Sequence, residues 1–356
     1  MSVTTMTSSK AGGSAHRFDG GSRRCISRRR ILVALMVASV LLLITSGLSL
    51  VLGATYYSPL DILRDPQVFE IVTTFRLPRT CFAILVGAGL SIVGVCYQAL
   101  FRNYLASPFT LGVSSGAALA ASVALMSGVT SARHGLDVSV CAIGGAIVSI
   151  CLILAVNGSR ERTQKNSLLL VGIVYSFFCS SVLTLLQYVS DYSQLFRVTR
   201  WMMGGIPSVE WSDLAIGVVC IAAMIAWLIR HERGLDLMLF GDDLAAVKGI
   251  DPHRLTRTSF VLTSCVVGWI VAQCGVIGFI GIIVPSICRL AIGLRHKFLI
   301  PLSGLVGACL VVTCDLLGRL VIAPFEIPAG VFTAILGGPI FIVLVMRPGR
   351  FQGSLL

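Results

Sequence analysis

The stretch that divides this chain is Arg230–Arg257, R-H-E-R-G-L-D-L-M-L-F-G-D-D-L-A-A-V-K-G-I-D-P-H-R-L-T-R. Ten of its 28 residues are charged, five basic and five acidic, whereas only 12% of the whole chain is charged. Long apolar runs lie on both sides, which predicts a polar segment between two membrane-spanning helices. A balanced charge favours contact with a protein partner over contact with anionic lipid. A solvated loop is the alternative interpretation.

Within this stretch, Gly241–Gly249 carries the signals of a short helix. Asp242 and Asp243 can begin the helix and Gly249 can end it, and Pro252 follows soon afterwards. The small residues in it, among them Ala245, would allow a partner to approach closely. We therefore expect a short helix that presents its surface outside the membrane.

The composition identifies an all-α integral membrane protein. The chain has 356 residues, is 56% hydrophobic and has a mean hydropathy of +0.91. Its apolar runs are much longer than the segments of about 10 residues that alternate in a membrane barrel. Eleven of the twelve cysteines fall inside apolar runs and no C-x-x-C pair occurs, while all five histidines lie outside those runs. The sequence therefore predicts neither a disulfide framework nor a metal or cofactor site within the membrane.

The apolar runs predict ten spans. The first, Ile31–Gly53, has 23 residues, which exceeds the apolar core of a signal peptide and favours a retained span. The others are expected at 80–101, 106–128, 138–157, 167–187, 214–229, 259–277, 278–294, 299–322 and 329–346. The membrane-spanning region is then 31–350, with a disordered basic tail at 1–30 and a short tail at 351–356.

The distribution of positive charge orients this bundle. With ten spans both termini share one side, and that side carries 20 Lys and Arg residues against six on the other. The side with 20 is predicted to be cytoplasmic, so both termini are expected in the cytoplasm. The formal net charge of +12 is then largely a topology signal, and a nucleic-acid partner is not needed to explain it.

Two arginines lie on the predicted outer side, where the positive-inside rule disfavours them. They are Arg76 and Arg79, in the motif R-L-P-R that opens the second span. The rigid pair is suited to bind carboxylates of an external protein. Anchoring to lipid phosphates is the alternative.

The stretch Gln98–Ala117, Q-A-L-F-R-N-Y-L-A-S-P-F-T-L-G-V-S-S-G-A, places many helix-breaking and polar residues at membrane depth. Irregular backbone is tolerated there where it is buried in protein or lines a cavity. We expect cavity lining, with tight helix packing through small residues as the alternative. The residues concerned are Asn103, Ser107, Pro108, Gly112, Ser114, Ser115 and Gly116.

Charged residues also occur inside the later spans. Thr258–Cys288 has no charge, and its glycines and Pro285 are expected to break it into two segments. Arg289 follows and should lie near a cytoplasmic end or have a partner. Asp315 and Arg319 are four residues apart and can pair on one helix.

Six motifs in this order resemble the FecCD-type permease family, the membrane subunits of ABC importers for iron–siderophore complexes, haem and cobalamin. They are R-L-P-R, Q-A-L-F-R-N-x-L-A-x-P-x-x-L-G-V-S-S-G-A, W-M-M-G-G, G-F-I-G-I-I-V-P-x-I-x-R, D-x-x-x-R and E-I-P-A-G-V-F-T-A-I-L-G-G-P-I-F. The resemblance covers about residues 31–350 and implies the cobalamin-importer-like, type II permease fold, with ten helices per subunit in a dimer.

The resemblance also implies roles for individual residues. Docking to a substrate-binding protein falls on Arg76, Arg79 and Arg319. The gate and translocation path fall on Gln98, Asn103, Leu105, Ser114 and Ser115. Coupling to the ATPase falls on Gly241, Asp242, Asp243, Ala245, Lys248 and Gly249, and a structural motif comprises Gly278, Phe279, Gly281, Pro285 and Arg289. The chain departs from the family pattern at Tyr104, Lys248 and Ser286.

An importer needs a source of energy, and this chain has no G-x-x-x-x-G-K-[ST] loop. ATP must therefore be bound by separate ATPase subunits. An ion-coupled carrier and a membrane enzyme are the alternatives, but the spans hold neither a relay of carboxylates nor a histidine for catalysis. We expect an iron–siderophore permease of the bacterial inner membrane, with haem or cobalamin as alternative cargo and a second permease subunit, identical or not, as partner.

Overall fold

The computed structural model describes residues 28–53, 55–127, 138–158, 165–322 and 325–346. The regular structure of these residues is helical. The predicted tails at 1–30 and 351–356 fall outside the described residues, except that the first helix already begins at Arg28. The helices of the first half are α1 (Arg28–Val51), α2 (Pro59–Arg64), α3 (Pro66–Ile71), a π-helical turn (Val72–Arg76), α4 (Leu77–Phe101), α5 (Val113–Ser127), α6 (Val138–Gly158) and α7 (Lys165–Tyr188).

The second half of the described chain continues in the same way. Its helices are α8 (Tyr192–Met202), α9 (Trp211–Arg230), α10 (Glu232–Met238), α11 (Asp242–Val247), α12 (Pro252–Cys274), α13 (Ile280–Ile292), α14 (His296–Leu320) and α15 (Ala329–Val345). Three of them, α8, α10 and α11, have only 6 to 11 residues and lack the long apolar character of a span. They lie in the segments between spans.

The helices agree with a prediction of about ten spans. Seven helical segments of the described residues are long and apolar enough to cross a membrane, and α5, α13 and α15 are shorter apolar helices. Two predicted spans were too long, because α5 begins at Val113 instead of 106 and α13 covers only Ile280–Ile292. In both places irregular backbone supplies the rest of the length.

The break predicted within Thr258–Cys288 is observed. Helix α12 ends at Cys274 and α13 starts at Ile280. Phe279, which precedes α13, has a left-handed backbone with φ 68°. This conformation is an outlier for a bulky residue, so the surrounding packing must hold it in place.

The centre of the bundle is the pair α4 and α14. Helix α4 buries most of its residues, and α14 buries residues along its whole length. A Cβ atom at Gly87 on α4 would overlap the backbone of Gly307 on α14. Small residues bring the two backbones into direct contact there, which is the usual means of helix association in lipid. By contrast α1 exposes most of its apolar side chains, as a helix at the lipid boundary would.

Replacing Gly87 with alanine is expected to lower the free energy of unfolding by about 1–3 kcal/mol, because the added methyl group forces the two backbones apart. Gly144 on α6 is the matched control, since a Cβ there would meet no described atom within 4 Å. Gly144→Ala should be neutral or stabilising by up to about 1 kcal/mol. Thermal melting of the detergent-solubilised protein measures both variants. Equal melting temperatures for the two would contradict the close contact.

Candidate functional site

The two ends of the bundle hold the residues that the sequence singled out. At one end are the R-L-P-R arginines, the polar end of α14 and the amphipathic helix α8. At the other end are the loop after α4 and helices α10 and α11. The described residues at each end are those that the sequence analysis assigned to the same side of the membrane.

Arg76 lies at the end of the π-helical turn and is bonded within the chain. Its guanidinium donates to the carbonyl oxygens of Leu50 at 2.8 Å, Val51 at 3.0 Å and Thr55 at 2.7 Å. It also lies 4.6 Å from the ring centroid of Tyr57. These carbonyls belong to the end of α1 and the residues after it, so Arg76 fastens α1 to the start of α4.

Arg79 forms two ion pairs within the chain. Its Nη2 lies 2.8 Å from Oδ1 of Asp315, and its Nη1 lies 2.9 Å from Oε2 of Glu326. The side chain of Asp315 is 3% exposed and that of Glu326 is 49% exposed. One partner of Arg79 is therefore fixed in the protein, while the other can move into solvent.

Arg319, expected to dock a binding protein, is buried among residues of its own chain in this structure. Its side chain is 5% exposed, and Nη2 lies 3.2 Å from Oδ2 of Asp315. That contact is an ion pair without the alignment of a hydrogen bond. Nη2 also donates to the hydroxyl oxygen of Ser49 on α1 at 2.6 Å. Arg319 thus pairs with Asp315 as the spacing predicted, and it links α14 to α1 instead of facing an external protein.

A cavity of about 860 Å³ opens beside this network. Its polar lining consists of Arg79, Arg197, Thr199, Arg200, Ser208, Gln273, Asp315 and Glu326. Arg197 and Arg200 project from α8, are exposed, and form no ion pair among the described residues. Arg197 and Arg200 pair with neither of these acids, and the three arginines and two acids that line the cavity leave it with a net charge of +1. The sequence analysis counted these arginines for topology and did not recognise them as part of a site.

At the opposite end, Gln98 holds the loop that follows α4. Its Nε2 donates to the carbonyl oxygens of Tyr104 at 2.9 Å, Ile282 at 3.2 Å and Gly281 at 3.4 Å. The side chain is 1% exposed. Gln98 was predicted to line the path, and in this structure its amide nitrogen bonds the loop to α13.

The two predicted gate residues lie in this loop. Asn103 accepts a hydrogen bond from the backbone N–H of Leu105 through Oδ1 at 2.9 Å, which closes a tight turn. Leu105 is 50% exposed. The turn therefore projects an apolar side chain from the end of the bundle.

Tyr104, where the family pattern has proline, contacts Arg289. The guanidinium carbon of Arg289 lies 5.2 Å from the centroid of the tyrosine ring. Arg289 is 8% exposed, and its Nε and Nη2 atoms have no hydrogen-bond partner among the described residues. The ring thus compensates part of the charge of a buried arginine. Arg289 lies in the last turn of α13 and has a partner, as expected.

The remaining path residues lie deeper in the bundle. Ser114 and Ser115 begin α5 and are 5% and 8% exposed. Ser114 borders a cavity of about 20 Å³ that Gly278, Phe279 and Gly281 also line. Such a volume has room for about one water molecule. The structure thus brings one path residue together with the predicted structural motif, while Pro285 lies within α13.

The predicted short helix in the charged stretch is present as α11, Asp242–Val247. The helix ends next to Gly249, as the sequence predicted. The N–H of Gly249 bonds to the carbonyl of Ala246 at 2.9 Å, and the N–H of Ile250 bonds to that of Ala245 at 3.0 Å. With φ 80° at Gly249, this is a Schellman ending.

Ala245, one of the predicted coupling residues, faces the bundle and not the outside of α11. Ala245 is 0% exposed and belongs to the hydrophobic core, so its small size allows α11 to approach its own bundle and not a partner. The exposed apolar side chains of this segment are Phe240 at 66%, Leu244 at 42% and Val247 at 83%. We call these three residues the α11 apolar surface. Their spacing of four and three residues was visible in the sequence and was missed.

Two polar contacts fasten this segment to the bundle. Arg102, at the end of α4, pairs with Asp242 at 3.4 Å. Asp236 on α10 accepts hydrogen bonds from the backbone N–H of His296 at 3.0 Å and from its Nδ1 at 2.6 Å. The segment is therefore attached to both central helices, α4 and α14. The Asp236–His296 contact was not predicted.

The fold and these residues can be compared with known proteins. The FecCD transport family matches residues 41–347. The hemin transport system permease protein HmuU of Yersinia pestis is 33% identical and covers 90% of this chain and 97% of its own length. The vitamin B12 import system permease protein BtuC of Escherichia coli O157:H7 is 35% identical, with 89% and 95% covered.

Solved structures give the same result. An ABC transporter assigned to the metal-chelate type, in an inward-facing conformation, matches with a TM-score of 0.80 and 30% identity over 89% of this chain and 99% of its own. PsaBC from Streptococcus pneumoniae, in complex with a Fab, matches with a TM-score of 0.53 and 18% identity over 82% and 96%. The second likeness concerns the fold alone.

Proposed function

Because this chain belongs to the FecCD transport family, we propose that it passes an iron–siderophore complex from an external binding protein to the cytoplasm. Family membership makes it a permease subunit of an ABC importer in the bacterial inner membrane, and not an enzyme. Permeases of this kind work with ATPase subunits and a binding protein, and they dimerise. What we propose is the cargo and the residues that serve it.

The observation that supports an iron chelate is the charge of the 860 Å³ cavity. Arg197 and Arg200 are left without carboxylate partners in a region where the positive-inside rule disfavours arginine. Ferric complexes built from carboxylate or catecholate groups are anionic, and they would find attraction there. Haem, with its two propionates, shares this charge and is the second candidate, since one similar relative is a hemin permease.

Replacing Arg197 and Arg200 together with glutamine is expected to reduce uptake of an anionic ferric siderophore about three- to tenfold, mainly through KM, since two partly solvated charges are lost. The assay is uptake of labelled cargo by a strain that lacks its own copy, offered ferric siderophores, haem and cobalamin in turn. Arg64→Gln, on the same side but outside the cavity, is the control. Uptake of cobalamin alone, or equal loss with Arg64→Gln, would overturn the proposed cargo.

For docking, Arg79 is the best candidate. Its ion pair with the half-exposed Glu326 occupies the position that a carboxylate of the binding protein would take. On docking, a carboxylate of the binding protein would replace Glu326 as the partner of Arg79. This exchange costs less free energy than leaving the arginine without a counter-charge. Arg76 supports this site indirectly, by holding α1 against the start of α4.

For the inner gate, the turn around Asn103 remains our proposal. The exposed Leu105 would meet its counterpart on the second permease subunit and close an apolar constriction. The contact between Tyr104 and Arg289 would fix the turn on α13. The α11 apolar surface would supply the contact with the ATPase, in place of the buried Ala245.

A further inference from the structure

Helix α14 is held at its inner end by a residue that belongs to the charged stretch. Oδ1 of Asp236 accepts two hydrogen bonds from His296, one from the backbone N–H at 3.0 Å and one from Nδ1 at 2.6 Å. A carboxylate only accepts, so Nδ1 carries the proton. His296 is 0% exposed and is the first residue of α14. Asp236 thus binds a backbone N–H group in the first turn of α14 and also the imidazole ring of His296, which is fixed by its burial.

The other side of this contact is equally rigid. Asp236 lies on α10, whose Leu235 and Met238 are 0% exposed. Only Leu239, Phe240 and Gly241 separate α10 from α11. A displacement of the α11 apolar surface therefore reaches Asp236 through a few residues of packed chain.

The far end of α14 carries the outer network. The helix has 25 residues, which is about 37 Å at 1.5 Å per residue. Near its end, Asp315 pairs with Arg79 and with Arg319. One helix thus touches the cytoplasmic segment at its start and the arginine network at its end.

We propose that Asp236 is the positioning residue that transmits movement of the ATPase-facing segment through His296 into α14, and so to Arg79 on the outer side. This inference rests on the proposed function as an ABC importer, and it adds the route by which the two faces communicate. A continuous chain of contacts is a physical requirement for such a route, and coupling must be measured to establish it.

The chain offers a matched control in Asp251. This residue lies in the same charged stretch and caps α12, accepting hydrogen bonds from the N–H groups of His253 at 3.0 Å and Arg254 at 3.1 Å. Helix α12 follows α11 directly and is the alternative route into the membrane. Replacing Asp236 or Asp251 therefore removes the same kind of hydrogen bond, from the start of α14 in one case and of α12 in the other.

The experiment uses the whole complex, permease with ATPase subunits and binding protein, in proteoliposomes. A spin label is attached through an unnatural amino acid at position 320, the outer end of α14, where Leu320 is 39% exposed. Three quantities are measured: the change in distance between labels on the two permease subunits when ATP is added, ATP hydrolysis with and without loaded binding protein, and uptake.

With Asp236→Ala we expect basal hydrolysis within about twofold of wild type, an approximately tenfold loss of stimulation by the binding protein, and a label that no longer moves with ATP. Asp236→Asn should recover most of the response, because its amide oxygen can still accept both hydrogen bonds. Asp251→Ala should behave as wild type. A moving label and full stimulation in Asp236→Ala, or an equal loss in Asp251→Ala, would overturn the inference.

If Asp236→Ala fails to assemble, His296→Ala replaces it, since Asp236 can still accept the backbone N–H hydrogen bond while the side-chain hydrogen bond is lost. A reduced label movement then supports the route, and an unchanged movement overturns it. The label responds to ATP without cargo, so the result is separate from the test of the proposed function. A wild-type complex that moves the label but takes up no ferric chelate refutes the cargo alone.

Discussion

Replacing Asp315 with alanine is expected to lower the free energy of unfolding by about 3–5 kcal/mol, the largest stability loss that we predict. Asp315 is 3% exposed, and it is the carboxylate paired with both Arg79 and the buried Arg319. Without it, Arg319 keeps hydrogen bonds only to Ser49, through Nη1 at 3.3 Å and Nη2 at 2.6 Å. A buried guanidinium without a counter-charge is among the most costly defects in a membrane interior.

Thermal melting of the solubilised protein measures this loss. The control is Glu326→Gln, which removes the other partner of Arg79 at a position 49% exposed. Exposed ion pairs contribute about 0–1 kcal/mol, so this variant should melt close to wild type. Similar melting temperatures for Asp315→Ala and wild type would mean that the network contributes little and that Arg319 finds other partners.

Replacing Leu244 and Val247 together with aspartate is expected to reduce coupled uptake at least about thirtyfold, because two unpaired charges in an apolar interface cost about 2 kcal/mol or more. Val247 is 83% exposed and Leu244 is 42% exposed in the isolated chain. Exposed apolar side chains at helical spacing, on a segment outside the spans, mark a surface that a partner covers. Two buried aspartates would make that contact unfavourable.

Co-purification of the ATPase with the permease measures the contact, and uptake measures its consequence. Lys248→Ala is the control, since it changes an exposed charge beside the same surface and should alter mainly the salt dependence. A double aspartate variant that still retains the ATPase and transports at the wild-type rate would show that the partner binds elsewhere. The solvated-loop interpretation of the charged stretch would then be favoured.

The sequence was sufficient for the spans, because long apolar runs and a few helix breakers are local signals. The split between α12 and α13, the short helix α11 and the pairing of Asp315 with Arg319 all depend on neighbours within a few residues. These predictions are confirmed. The family resemblance depended on motifs that are likewise local.

The sequence was insufficient where an outcome depends on helix rotation or on distant contacts. Ala245 was expected to face a partner, but packing turns it inward and turns Val247 outward. Arg319 was expected to face outward, but Ser49 lies 270 positions away in the chain and captures it. The contact between Asp236 and His296 spans 60 positions, and no local pattern indicates it.

The attachment of α1 has a consequence for how the protein is made. Helix α1 precedes the other described spans in the chain, so it leaves the ribosome before them, and the mean hydropathy of 2.6 over its most apolar 18 residues lets it enter the bilayer unaided. Ser49 on α1, whose hydroxyl oxygen accepts a hydrogen bond from Arg319, can form that bond only after α14 has been synthesised. An arginine in an inserting helix costs about 2.5–3.5 kcal/mol at the helix centre on translocon scales, and less near the helix end, where Arg319 lies.

When α14 reaches the translocon, Asp315 arrives one turn ahead of Arg319 and can neutralise it within the same helix. Arg79, which is already in the membrane on α4, can then pair with Asp315, and Ser49 can bind Arg319. Insertion of the ninth span is in this way assisted by spans placed much earlier. Nascent chains that lack α1 should therefore release α14 from the translocon more slowly than complete ones.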